Sequence, residues 1–237
     1  MTNDFLVKWV NFWVFLFSIS VLSYSAQPAV VLLFTMLYVA LVKRDSRLNF
    51  ALSKEERIFV YLILLWFFWQ LFGVVYQPLG YEYESIRMQF SAFDNVSRWL
   101  LMLPVLFLLR RYVVDWRLVS IGISIGVLIS VFVAYYEVYF LHIGRAEGTS
   151  NHTIPFAELM VVADLLLWMF MIHAWNKGQK ILSYFLLFVS VMAFYGSLLS
   201  VTRGAWLAYI FMILIWLVYV IKNSLTDKKH QIGRAHV

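Results

Sequence analysis

The apolar residues of this chain fall in long unbroken runs rather than in alternation, and that feature decides most of what the chain can become. Residues 181–200, ILSYFLLFVSVMAFYGSLLS, hold no charge at all. A bilayer is crossed by about 20 helical residues or by about 10 alternating strand residues, with every backbone polar group paired inside the spanning structure. Runs of this length without alternation are therefore helices. They lie at about residues 5–23, 27–42, 58–77, 97–110, 117–140, 155–175, 181–200 and 205–221. The expected fold class is all-α: a polytopic transmembrane helix bundle of about eight helices.

Composition closes the alternatives. Of 237 residues, 63% are hydrophobic and 14% charged, with a mean hydropathy of +0.79. A soluble domain is about 45–50% apolar and about 25% charged, and one of this size has no core large enough for the excess. The absence of cysteine removes disulfide scaffolds and thiolate metal centres, and the hydropathy removes disorder.

Cytoplasmic loops are richer in Lys and Arg than exported ones. With the N-terminus in the cytoplasm, fourteen of the 19 basic residues lie inside; Arg87, Arg98, Arg145 and Arg203 lie outside, and Arg234 sits in the C-terminal tail. The formal charge of +6 thus reads as a topology signal, and no nucleic-acid partner is expected. Lys8 inside the first run, with no small-residue cleavage site after it, makes that run a retained signal anchor.

Four exported segments follow. The first, near residues 24–27, is a tight turn. The second, Pro78 to Val96, carries Glu82, Glu84, Arg87 and Asp94; two carboxylates at this spacing are a pattern that holds a divalent cation, and more often are simply solvated. The third runs from Gly144 through Arg145, Glu147, Gly148, Asn151 and His152 to Pro155, which suits the first turn of the next helix. A helix N-terminus attracts anions, so this end is suited to receive a phosphate beside Arg145, with His152 reading as a hydrogen-bonding loop residue. The fourth is Ser200-Val201-Thr202-Arg203-Gly204-Ala205-Trp206. There Arg203 places a fork of donors at the exported surface against the charge bias, and Gly204 leaves room for a ligand or a second backbone.

Within the membrane the costly residues are Glu137, Glu158 and Asp164. Asp164 falls near mid-depth and needs a partner. Glu158 lies about 120° round the helix from it. Glu158 and Glu137, nearer the exported surface, are expected to pair with Arg145 or Arg203. Gly122 and Gly126, spaced as G-x-x-x-G, are expected to permit close helix packing.

The stretch Leu198 to Ala208, with its Ser-Val-Thr-Arg-Gly-Ala-Trp centre, resembles a motif of the bacterial O-antigen ligases and their O-antigen polymerase relatives. Arg145-Ala146 with Gly148, followed by His152, Ile154 and Phe156, resembles a second motif of that family, carried before a transmembrane helix. The resemblance implies an inner-membrane, multi-pass glycosyltransferase. It would move O-antigen polysaccharide from undecaprenyl pyrophosphate to lipid A-core at the periplasmic face, or, as a polymerase, to another lipid-linked glycan. It also implies that Arg203 binds the pyrophosphate, that Arg145, Glu158 and His152 belong to the same substrate-binding set, and that no metal or cofactor is used. The family carries a histidine base in a large loop beyond the Arg-Gly-Ala-Trp helix. Here the chain ends soon after Lys228-Lys229-His230, so residues 1–231 are expected to be the N-terminal transmembrane part of a longer protein. Residues 232–237 resemble a translated sequencing adapter. Two other readings stand beside this one: a metal-dependent transferase using Glu82 and Glu84, and a transporter or flippase of lipid-linked glycans coupled through Asp164.

Overall fold

Local chemistry sets where the helices begin and end. Ser53 and Glu56 form a capping box, with Glu56 N–H donating to Ser53 Oγ at 3.2 Å and Ser53 N–H to Glu56 Oε2 at 2.8 Å. Pro28, Pro104 and Pro155 each lie in the first turn of a helix, where a missing N–H breaks no internal bond. The computed structural model describes residues 3–20, 22, 27–42, 51–76, 100, 102–112, 114–150, 152–211, 213–214 and 217. Its helices are α1 (Asn3–Ser20), α2 (Gln27–Leu37) continued by a π-helical stretch (Tyr38–Val42), α3 (Lys54–Tyr76), α4 (Met102–Arg111) and α5 (Trp116–Tyr139). A 3-10 turn (Gly148–Ser150) precedes α6 (Thr153–Asn176) and α7 (Lys180–Leu199), and a last helix, α8, is described over residues 203–211. No strand occurs among the described residues. The all-α expectation holds for the described residues, and the helices Trp116–Tyr139, Thr153–Asn176 and Lys180–Leu199 end within a few residues of the apolar runs.

Four of these helices are long and apolar enough to cross a membrane: α3, α5, α6 and α7. The other expected spans fall short for visible reasons. Asn3, Asp4, Lys8 and Asn11 dilute α1, α2 with its continuation is a shorter apolar helix, and α4 is described over ten residues. The eighth run is described continuously only to residue 211. In α3 only 6% of the most apolar stretch is buried, against 50% in α5. A helix that is apolar all round suits a membrane span or the core of a larger protein.

The chain divides into two units. The first comprises Met1–Phe17 and Ser25–Val119. Its core is a stripe of Leu6, Val10 and Val14 on α1 against Leu32, Met36 and Val39 of the second helix, joined by Leu108 and Tyr112. Trp9 Nε1 donates to Thr35 Oγ1 at 3.1 Å across this packing. Asn11 Oδ1 accepts Asp115 N–H at 2.7 Å, and Asp115 Oδ1 accepts Arg117 N–H at 2.9 Å, capping the start of α5.

The second unit comprises Ser18–Tyr24 and Ser120–Val237. A tight reversal joins α6 to α7: Gly178, at φ +72°, donates to Trp175 O, and Gln179 N–H to Ala174 O, both at 2.9 Å. This Schellman pattern needs the left-handed residue that glycine supplies without strain. Small residues then set the packing distances. A Cβ on Gly126 would lie 2.5 Å from Ile19 O, and one on Gly196 would lie 2.9 Å from Val131 Cγ2 and 3.3 Å from Met160 Sδ. The close approach expected at the G-x-x-x-G pair is thus made at Gly126. Helix α8 packs on α6 through Ala205 against Ala157 and Val161.

Candidate functional site

The two segments that resemble family motifs meet in space. Ala146 N–H donates to Leu199 O at 3.1 Å. Beside it, Arg145 Nε donates to Ser200 O at 3.2 Å and Nη2 to Thr202 Oγ1 at 3.3 Å. Thr202 Oγ1 in turn approaches Thr153 O at 3.4 Å. This places the starts of α6 and α8 next to each other.

The loop carrying Arg145 is held from below. The Glu137 carboxylate, on the last turns of α5, accepts the N–H groups of Glu147 at 2.8 Å and Gly148 at 2.9 Å through Oε2. Thr149 Oγ1 donates to Leu22 O at 2.8 Å and also meets Ser130 Oγ. Ser150 Oγ lies 2.9 Å from both Glu147 O and His152 O. Gly148, at φ +55°, is pressed by the Phe156 ring, which a Cβ would approach to 2.5 Å.

Each residue from 200 to 206 has a distinct task. Ser200 is fully buried; its hydroxyl donates to Ser197 O at 2.7 Å and accepts Thr202 N–H at 3.2 Å. Val201 stands at φ +53°. A β-branched residue in the left-handed region is strained, by about 1–3 kcal/mol, and persists only where its surroundings over-determine it. Thr202 is buried, and its carbonyl accepts Trp206 N–H at 3.4 Å, opening α8. Trp206 Nε1 donates to Ser197 O at 3.4 Å, which ties α8 to the end of α7. Arg203 and Gly204 are the two whose side-chain positions serve none of this. Arg203 is exposed and makes no ion pair among the described residues, and none of these lies within 4 Å of where a Gly204 Cβ would sit.

The electrostatics at this end are mixed: positive groups at the helix starts stand near the carboxylates of Glu137, Glu147 and Glu158. Two adjacent helix N-termini carry positive partial charge, α6 has no acidic residue in its first turn, and Arg145 and Arg203 add two full charges. Glu147, exposed in the loop, is the nearest acid in sequence.

Several expectations need correction. Glu137 pairs with neither arginine, because backbone N–H groups occupy its carboxylate. Glu158 is exposed and makes no ion pair among the described residues, because Arg145 is already engaged by uncharged acceptors. His152 is the N-cap residue of α6, yet its imidazole makes no capping bond; its carbonyl is what the loop uses, accepting from Ser150 Oγ and from Phe156 N–H at 3.1 Å. The room expected at Gly204 is there, and no second backbone from the described residues fills it. Glu82, Glu84, Arg87, Asp94 and Asn151, the turn at residues 23–26 and the tail at 232–237 lie outside the described residues.

Asp164 is the twelfth of the 24 residues of α6 and is 1% exposed. Its partner is a hydroxyl: Ser190 Oγ of α7 donates to Asp164 Oδ1, and Trp168 Nε1 donates to Ser190 Oγ at 2.7 Å. The partner that mid-depth burial demands is thus neutral. No signal in the sequence names Ser190, since serines recur along α5 and α7 and only packing selects one.

Comparison with protein-family models, with curated proteins and with solved structures finds no match for this chain.

Proposed function

We propose that this chain belongs to a membrane-embedded glycosyltransferase of the O-antigen ligase type, which moves a polysaccharide from undecaprenyl pyrophosphate to lipid A-core at the periplasmic face. An O-antigen polymerase is the same chemistry with a lipid-linked glycan as acceptor. The observation that carries the reading is the division of labour from Ser200 to Trp206. The turn spends its buried residues on holding itself and leaves Arg203, beside the open space at Gly204, free to meet an anion. A pyrophosphate leaving group accumulates charge as the glycosidic C–O bond breaks, and a pre-placed guanidinium stabilises that charge without reorganisation. The resemblance also brings Glu158 and His152 into the substrate-binding set. The base that accepts the acceptor hydroxyl's proton is assigned to no residue here.

The test is complementation of a ligase-deficient bacterium with the intact reading frame, followed by electrophoresis of its lipopolysaccharide. The wild-type frame is expected to restore the O-antigen ladder, and Arg203→Ala to cut transfer by about a hundredfold or more, the usual effect of removing one charge-stabilising donor. An unchanged ladder with Arg203→Ala removes the assigned role.

A further inference from the structure

Arg145 has a different task from Arg203, although both stand at the same end of the bundle. Its Nε and Nη2 are committed to Ser200 O and Thr202 Oγ1, the groups on either side of Val201. Val201 is the residue held at φ +53°, where a β-branched side chain is disfavoured. The bonds internal to the turn, Val201 N–H to Leu198 O at 3.1 Å and Thr202 N–H to Ser200 Oγ, span only two or three residues. From outside, the turn is gripped by the 145–146 segment, which is fixed through Glu137, and by the longer 3.4 Å approach of Thr202 Oγ1 to Thr153 O.

We infer that Arg145 is a positioning residue: its planar fork splints the Ser200–Thr202 turn, keeps Val201 in the left-handed region, and so sets where Arg203 projects from the start of α8. The inference rests on the anion-binding role proposed for Arg203. A planar guanidinium spans two acceptors in fixed geometry, whereas an ammonium is a point donor, so Lys is a poor replacement. Strain at Val201 is the quantity the splint opposes. Relieving it should make the splint dispensable.

The experiment has two arms. In the first, amide hydrogen exchange is followed on this chain in lipid nanodiscs. Arg145→Ala is expected to speed exchange at Val201 and Thr202 by about tenfold or more, as local opening becomes cheaper, while Val189 and Ser190 within α7 are unchanged. Arg145→Lys, which keeps charge and stem, should show most of the same effect. Adding Val201→Gly or Val201→Asn, both tolerant of positive φ, should return protection to within about threefold of wild type. Wild-type protection in both Arg145 variants, or no recovery with either Val201 variant, overturns the inference.

In the second arm the same variants are scored for glycan transfer in the intact protein. Arg145→Ala is expected to lose about tenfold or more, and Val201→Gly or Val201→Asn to recover at least a third of the lost activity. Loss without recovery, with turn protection intact, would mean that Arg145 contacts the phosphate itself, and overturns the inference. If the wild-type protein transfers no glycan, it is the proposed function that fails, and the exchange arm alone decides the role of Arg145.

Discussion

Two polar clusters in the second unit answer the same problem in opposite ways. Midway along α6, Asp164, Ser190 and Trp168 form a closed chain of hydrogen bonds in which a buried carboxylate is met by a hydroxyl and an indole. At the loop end, Ser200, Thr202 and the Arg145 guanidinium close a second network, but Arg203 stands outside it, exposed. A cluster that uses up its donors holds helices together. One that leaves a charged fork unspent beside an open backbone position is equipped to receive something. The difference separates architecture from recognition on physical grounds, with no appeal to which residue is the rarer in a membrane.

The widest gap should appear in the proposed glycan transfer. Arg203→Ala is expected to lower transfer by about two orders of magnitude, whereas Asp164→Asn, which keeps an acceptor for Ser190, should stay within about threefold. Equal damage from the two substitutions would break the distinction. Stability should show the reverse order. Ser190→Ala removes the hydroxyl that meets both Asp164 and the Trp168 indole and is expected to cost about 1–3 kcal/mol in detergent unfolding, while Arg203→Ala should stay within about 0.5 kcal/mol. Gly148→Ala should cost about 1–3 kcal/mol, because the new Cβ meets Phe156 and the backbone stays at positive φ. Shortening Phe156 to Leu in the same chain should recover part of that loss. The smallest effect on folding sharpens the comparison most. Gly204→Ala should move stability by no more than about 1 kcal/mol, since no described residue lies within 4 Å of the added methyl, yet it should reduce transfer if a ligand approaches that backbone.

The helices were legible because apolar run length and charge are one-dimensional properties. The runs at 117–140, 155–175 and 181–200 reappear as Trp116–Tyr139, Thr153–Asn176 and Lys180–Leu199. The meeting of the 141–154 and 200–204 segments was foreshadowed by placing both on one side of a membrane. Their contacts were not. Charge logic paired Glu137 with an arginine, but two consecutive backbone N–H groups lay closer to hand and need no second charge. Positive φ at Val201 was invisible, since valine is among the residues least expected there, and the conformation comes from bonds made by a loop some 55 residues away in the chain. The Asp164 partner was invisible for a related reason. It depends on how α6 and α7 are rotated against each other, which the Gly178 reversal and the close fit of Met160 against Gly196 decide.

The sparsely covered helix α3 carries a last consequence. Ile63 is its one described residue in the core, and its apolar side chains point in every direction, so burial along its length gives α3 little azimuthal preference. The polar lock at its start supplies one. Glu56 closes the capping box and also meets Arg110 Nε at 3.3 Å, while Arg110 Nη1 reaches Ala51 O at 2.8 Å. A partly exposed ion pair of this kind is worth only about 0–1 kcal/mol. Its contribution is angular as well as energetic, since it ties one side of the start of α3 to Arg110 where the apolar side chains express no such preference.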